Sequence, residues 1–348
     1  MPIITDYTQV KEIYSETSER GIALPTLCAE DRETLEAILA SALEMGKITG
    51  IEDIPIIPAW TCRYPPRGQM KLLTACGDPI LGINLMLSDL KAFMGQTSPY
   101  RKLRVLPHLD HAFPWLDGDI LEKYVDCFAS VMCDASEKPF EENIRLTAQY
   151  AEKVKGKVVV EGAVDEIFEA GSNKQKNKST TVEQSERFLA QTGVDIIVPN
   201  VGTEHRATVD SVKYCGNRAR EISKAVGSIL CLHGTSSLKP EDINCLPDDG
   251  FIKVNIYTSI AVHGGQAVAY NVLNNLENIF SENQLKDLIN QKILGGNVPH
   301  ADSRETCSPI KPKLKYVTNP PRRNAWFSAV RDQCCYFLEH LNYRQFQK

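Results

Sequence analysis

KVVVEGAVDEIFEAGSNKQKNKSTTVEQSERFLAQTGVDIIVPN, residues 157–200, is the stretch from which the fold is read. Two short β-branched runs, KVVVEG (157–162) and VDIIVPN (194–200), flank an amphipathic segment from Val182 to Gln191, and the polar loop GSNKQKNKSTT (171–181) precedes that segment. Near-continuous apolar runs joined through a helix are the mark of parallel strands buried on both faces.

Working outward, the same unit recurs. Further runs are GIALPTLC (21–28), IPIIPAW (54–60), LRVLP (103–107), CFASVMC (127–133), SILCLHG (228–234) and FIKVNI (251–256), which makes eight expected strands. Helices are expected between them: Asp31 to Gly46, with Leu35, Ile38, Leu39, Ala42 and Leu43 on one face, then Phe140 to Val154 and Val209 to Val226. Eight β/α units favour a closed (β/α)8 TIM barrel over an open sheet, and the turn after the first run, LCAEDRE, lacks the GxGxxG of a dinucleotide site. The expected layout is a single domain: a barrel over about residues 21–282, including a long helical stretch from Ser259 to Glu282, then a C-terminal helical extension over about 283–348. That extension contains a Gly-, Pro-, Ser- and Lys-rich run (Gly295 to Pro321) and an amphipathic segment from Ala325 to Leu341.

Composition narrows the function classes. The 348 residues carry a net charge of -5 and no long basic run, so nucleic acid is not expected as a partner. No stretch approaches the roughly 18 uninterrupted apolar residues of a membrane span, and the N-terminus has no secretory signal pattern. The eleven cysteines form no CxxC pair or regular spacing, which argues against a zinc ribbon or a disulfide framework. A soluble cytoplasmic protein is expected.

In a barrel of this kind, chemistry gathers at the C-terminal ends of the strands. Those ends hold PHLDH with His108, Asp110 and His111, then Asp134, Glu161, NVGTEH with His205, His233-Gly234, and finally Lys253 and Asn255. Histidines from three different strands converge if the barrel closes. Imidazoles beside carboxylates suit a first-row divalent metal, and three histidines with an open position describe a catalytic zinc. The expected metal group is His111, His205 and His233, with the strand-end carboxylates Asp134 and Glu161, and His108 is expected as a supporting group. His263, His300 and His340 are left as surface or core residues.

These blocks carry a family resemblance. VLPHLDHAFPWLDGD, VMCDAS, VVVEG, TTVEQSERFLAQTGVDIIVPNVGTEH, LCLHGTS and GFIKVNI resemble the class II, metal-dependent ketose-bisphosphate aldolases, in the same order and at compatible spacing. The resemblance implies a zinc-dependent aldolase that cleaves or forms a ketose (bis)phosphate from dihydroxyacetone phosphate and an aldehyde. It implies Asp110 as acid/base at the substrate hydroxyl and phosphate contacts around Gly234 to Ser236 and around Asn255 to Thr258. It also implies an arginine near the C-terminus, for which Arg322 and Arg323 are the candidates, and a homodimer or larger even assembly. Another divalent metal in place of zinc, and an assisting monovalent cation, stay open.

The chemistry accounts for those residue types. Cleaving a carbon–carbon bond beside a ketone leaves a carbanion, and a divalent metal on the carbonyl oxygen stabilises that charge without a covalent lysine adduct. A second group must move a proton at the donor carbon. The relatives carry that group in a GGxED loop, where this chain reads GAVDEIFEAG, so Glu166 and Glu169 are the candidates. Other departures are Ala163 for an acidic residue, Arg206 for a glycine, and Tyr257 for an acidic or small residue. TCRYPPRGQ replaces a glycine-rich phosphate loop, and its Arg63 and Arg67 are candidate anion-binding groups. Two other readings stand beside the aldolase: a metal-dependent barrel isomerase or epimerase working through the same enediolate, and a diverged non-catalytic barrel.

Overall fold

The computed structural model describes residues 2–166, 179–204, 214–235, 238–295 and 313–347. Among them are nine strands: β1 (Leu24–Cys28), β2 (Pro55–Thr61), β3 (Arg104–Val105), β4 (His108–Ala112), β5 (Ser130–Cys133), β6 (Val159–Ala163), β7 (Ile196–Val198), β8 (Leu230–Leu232) and β9 (Phe251–Ile256). All pairings are parallel, in the order β1-β9-β8-β7-β6-β5-β4-β2, and β1 also pairs with β2 through Thr26 opposite Ile57. That last pairing closes eight strands into the expected (β/α)8 barrel. The barrel strands are buried along their whole lengths, as a sheet covered on the outside by helices and filled on the inside by side chains must be.

One strand lies elsewhere than expected. LRVLP (103–107) supplies only β3, two residues set beside Pro55 and Ile56 of β2, while the barrel strand is β4 on HLDHA, the segment expected to follow it. Hydrophobic pattern selects the apolar run, yet β4 carries His108, Asp110 and His111, all buried and all facing partners that satisfy them. FIKVNI, by contrast, is β9 residue for residue.

Local chemistry sets the helix ends. The helix Arg32–Thr49 starts where the Asp31 carboxylate accepts from the Thr34 amide and stops at Gly50, with φ 76°. The helix Val182–Thr192 starts with a capping box between Thr181 and Gln184. The long helix expected from Ser259 to Glu282 is interrupted: Thr258–Leu273 ends before Asn274 and Asn275, and a short helix, Leu276–Ile279, follows. The Asn275 side chain donates to the Asn271 carbonyl and so competes with the helical ladder.

The chain forms two compact units. The first comprises residues 1–259 and 331–348 and contains the barrel. At the N-terminal end of its strands the Tyr343 hydroxyl donates to the Pro55 carbonyl, and Asn342 donates to the Gly21 carbonyl, which fastens the last residues to the strand starts. The second comprises residues 260–330, where Gly264 leaves room for the Trp326 ring: a Cβ there would lie 2.8 Å from it.

Candidate active site

Successive side chains on a strand point to opposite faces, so in a regular β4 His108 and Asp110 would face inward and His111 outward. β4 is not regular. Its register against β5 shifts between Leu109 and Ala112, and His111 has φ 44°, a left-handed conformation that costs a non-glycine residue about 1–3 kcal/mol. The bulge turns His111 inward beside Asp110. One ligand atom from each of Asp110, His111 and His233 then lies within 4.8 Å of the other two, and all three residues are buried.

Both imidazoles are held from behind. His111 donates Nδ1–H to Asp134 Oδ2 at 2.7 Å, and Asp134 Oδ1 in turn accepts from the amide and hydroxyl of Ser136. His233 donates Nε2–H to Glu161 Oε1 at 3.1 Å. Each ring therefore presents its other nitrogen as the lone-pair donor, and the carboxylate–histidine pairs that orient metal ligands have this form. The two rings stand nearly perpendicular, at 81°, with centroids 4.9 Å apart. The donor set fits a first-row divalent cation. A second group of donors, Glu161, Cys231 and His233, fits less well, because the Lys253 ammonium already lies 2.8 Å from Glu161 Oε2 and 3.7 Å from Cys231 Sγ.

Asp110 is held at both oxygens. Asn255 Nδ2 donates to Oδ1 at 2.9 Å, while Arg67 Nη2 donates to Oδ2 at 2.7 Å and the Cys28 thiol lies 3.6 Å from that oxygen. Burial alone would raise this carboxyl, but His111, Arg67, His233 and His108 hold it well below the usual carboxylate range. His108, buried beside the Lys253 charge, is pushed down to about 3; its Nε2 accepts from Lys253 and its Nδ1 meets Ser130. Tyr64 stacks on His111 with centroids 4.5 Å apart and planes 9° from parallel. A small cavity lies against these groups, lined by Tyr64, His111, Asp134, Ser136 and Glu166 among others.

Buried histidines aimed at one point, each backed by a carboxylate, on the C-terminal side of a closed barrel agree with the comparisons. The family model described as "Fructose-bisphosphate aldolase class-II" matches residues 8–313. The chain belongs to this family. It is 25% identical to a fructose-bisphosphate aldolase of Staphylococcus epidermidis and 26% identical to one of Staphylococcus aureus, each over 80% of this chain and 89% of the relative. The crystal structure of fructose-bisphosphate aldolase from Campylobacter jejuni matches with a TM-score of 0.71 at 20% identity, covering 98% of this chain and 95% of that one. The YdjI aldolase from Escherichia coli K12 matches at 0.63 and 16%, covering 96% of each. The chain is thus a class II aldolase by family, of a metal-dependent lyase type.

In this aldolase the structure brings together Asp110, His111, His233, Asp134, Glu161 and Asn255, all expected near the metal or substrate. Glu166 reaches the same cavity. His205, Glu169 and Ser236 lie outside the described residues. Gly234 has φ 75°, and a Cβ there would lie 2.8 Å from the Glu204 carbonyl oxygen, so only glycine fits the close approach. Thr258 begins the helix Thr258–Leu273 just beyond β9. Arg322 and Arg323 are exposed on the helix Asn319–His340, in the second unit, where Arg323 donates to Asn324. Arg63 and Arg67 do find anions, but within the chain: Arg63 forks onto Asp119, and Arg67 pairs with Asp110. Sequence reasoning gave no role to Lys253, although it shares a face of β9 with Asn255 at period two. The approach of Arg67 and Tyr64 to β4 leaves no periodic signal at all.

Proposed function

We propose that this chain is a zinc-dependent aldolase that reversibly cleaves a ketose phosphate, fructose 1,6-bisphosphate or a related sugar phosphate, to dihydroxyacetone phosphate and an aldehyde. The observation that carries the reading is the β4 bulge, which sets the Asp110 carboxylate and the His111 imidazole side by side and within 4.8 Å of His233. His111 and His233 would hold the cation, His205 would complete the set, and Asp134 and Glu161 would orient the rings. When bound, that cation would supply electrophilic stabilisation at the donor's ketone oxygen.

The remaining steps fall to the chain. Asp110, kept ionised and oriented, takes the proton of the C4 hydroxyl as the C3–C4 bond breaks; the bond's electron pair stays with the donor, and C4 leaves as the aldehyde. Glu166, with Glu169 as the alternative, returns a proton to C3 of the donor. In the condensation direction each transfer reverses. The backbone around Gly234 to Ser236 and the segment around Asn255 to Thr258 hold the donor phosphate, as glycine-lined turns and helix starts do. Arg322 or Arg323 takes a second anionic group, in an oligomer of identical subunits. No helix among the described residues is long and apolar enough to cross a membrane. A cytoplasmic setting is proposed from the ten described cysteines, all of them free thiols, the form a reducing compartment maintains.

The test is cleavage of fructose 1,6-bisphosphate and tagatose 1,6-bisphosphate by the zinc-loaded chain and by its Asp110→Asn variant. Expected is turnover of at least one sugar and a loss of about 10²–10⁴-fold in kcat in the variant. Equal rates in the two proteins would remove Asp110 from the mechanism.

A further inference from the structure

The loop that follows β2 is tied down at three points, two of them on the site. Arg63 is forked onto Asp119, Tyr64 lies flat on the His111 ring, and Arg67 crosses to Asp110. The Arg67 side chain is 11% exposed and the Asp110 side chain 1%. The guanidinium carbon of Arg67 lies over the Tyr257 ring, 4.1 Å from its centroid, and the Tyr257 hydroxyl donates to Glu30 beyond the end of β1. Residues following β1, β2 and β9 thus fix one cation on one carboxylate of β4.

The contact is a single point. Arg67 meets Asp110 through Nη2, and Nε is buried without a hydrogen-bond partner among the described residues. Asn255 grips the other oxygen of Asp110, so the two donors together define the plane and direction of the carboxylate. Pre-set orientation matters for a proton transfer, since a misplacement of about 1 Å costs about 100-fold in rate.

We propose that Arg67 is a positioning residue for the acid/base step: it holds the Asp110 carboxylate in the orientation that takes the C4 hydroxyl proton. The proposal rests on the role given to Asp110 in the proposed function. It separates the two halves of the reaction. Bond cleavage needs the C4 hydroxyl proton to reach Asp110, whereas exchange of a hydroxymethyl hydrogen of dihydroxyacetone phosphate with solvent involves only the donor carbon. Arg67 therefore serves the first and not the second.

The experiment compares the zinc-loaded wild-type chain with Arg67→Ala and Arg67→Lys in two assays: cleavage of the bisphosphates above, and hydrogen exchange of dihydroxyacetone phosphate in deuterated water. Expected for R67A is a loss of about 100-fold in kcat for cleavage with little change in KM, exchange retained within about threefold, and partial rescue of cleavage by added guanidinium ion. R67K should stay close to R67A, because a single ammonium cannot rest on the Tyr257 ring and reach Asp110 in one fixed direction. Retained exchange also shows that the variant is folded. Unchanged cleavage, a parallel loss of both activities, or a raised KM for dihydroxyacetone phosphate overturns the assignment, the last by making Arg67 a phosphate ligand. A wild-type chain inactive in both assays overturns the proposed function and the assignment with it, and that failure is told apart because it appears without any substitution.

Discussion

Nδ1 of His111 donates to Oδ2 of Asp134 across 2.7 Å, and the backbone that aims this ring holds φ 44°. The strained conformation persists because the ring is fixed from two further sides, by the Asp134 hydrogen bond and by the Tyr64 stack. Asp134→Ala removes the hydrogen bond and leaves the ring free to turn. Zinc affinity, measured by competition with a chromogenic chelator, is expected to fall about 10–100-fold while the far-UV circular dichroism stays unchanged. Unaltered affinity would show that Asp134 does not orient a ligand.

Lys253 and Glu161 are both fully buried and lie 2.8 Å apart inside the barrel. Glu161 is held ionised although burial opposes it, because Lys253 and His233 stabilise the carboxylate. Lys253→Met leaves that carboxylate without its counter-charge, a loss of about 3–5 kcal/mol in urea unfolding of the metal-free chain. The double change K253M/E161L removes both charges and should recover most of that loss. A single variant as stable as the wild type would mean that the pair contributes nothing.

Acid stability follows from His108, which burial and the charge of Lys253 push down to about 3, against about 6.5 in an unfolded chain. Between those values the unfolded chain takes up a proton that the folded chain refuses. The contribution is therefore complete above pH 6.5 and is lost as pH falls toward 3, by about 1.4 kcal/mol per pH unit. His108→Gln keeps an acceptor for Lys253 without the titration. Its unfolding free energy between pH 6 and pH 4.5 should fall less steeply than that of the wild type by about that slope, and parallel curves would contradict the assignment.

The barrel was legible because its strands are short apolar runs buried on both faces, and a sheet of that kind needs no other signal. β4 was not, because its burial is satisfied by hydrogen bonds rather than by apolar side chains, so the neighbouring LRVLP stood out in its place. His111 and His233 could be expected at strand ends from the residue types alone. The bulge that brings His111 round could not, since nothing in HLDH distinguishes a regular strand from a shifted one. Arg63 and Arg67 were expected to bind an anion in place of a phosphate loop, whereas the structure pairs them with Asp119 and Asp110, which lie far along the chain and are brought to them only by the fold.

The most direct test of the site's chemistry is exchange of a hydroxymethyl hydrogen of dihydroxyacetone phosphate with deuterated solvent, followed by proton NMR, with and without a chelator. It requires no choice of aldehyde. Expected is exchange by the zinc-loaded chain that stops on chelation and returns when zinc is restored. Absence of exchange in a fully metallated, folded chain would contradict the aldolase reading, because no donor carbanion could then be formed at this site.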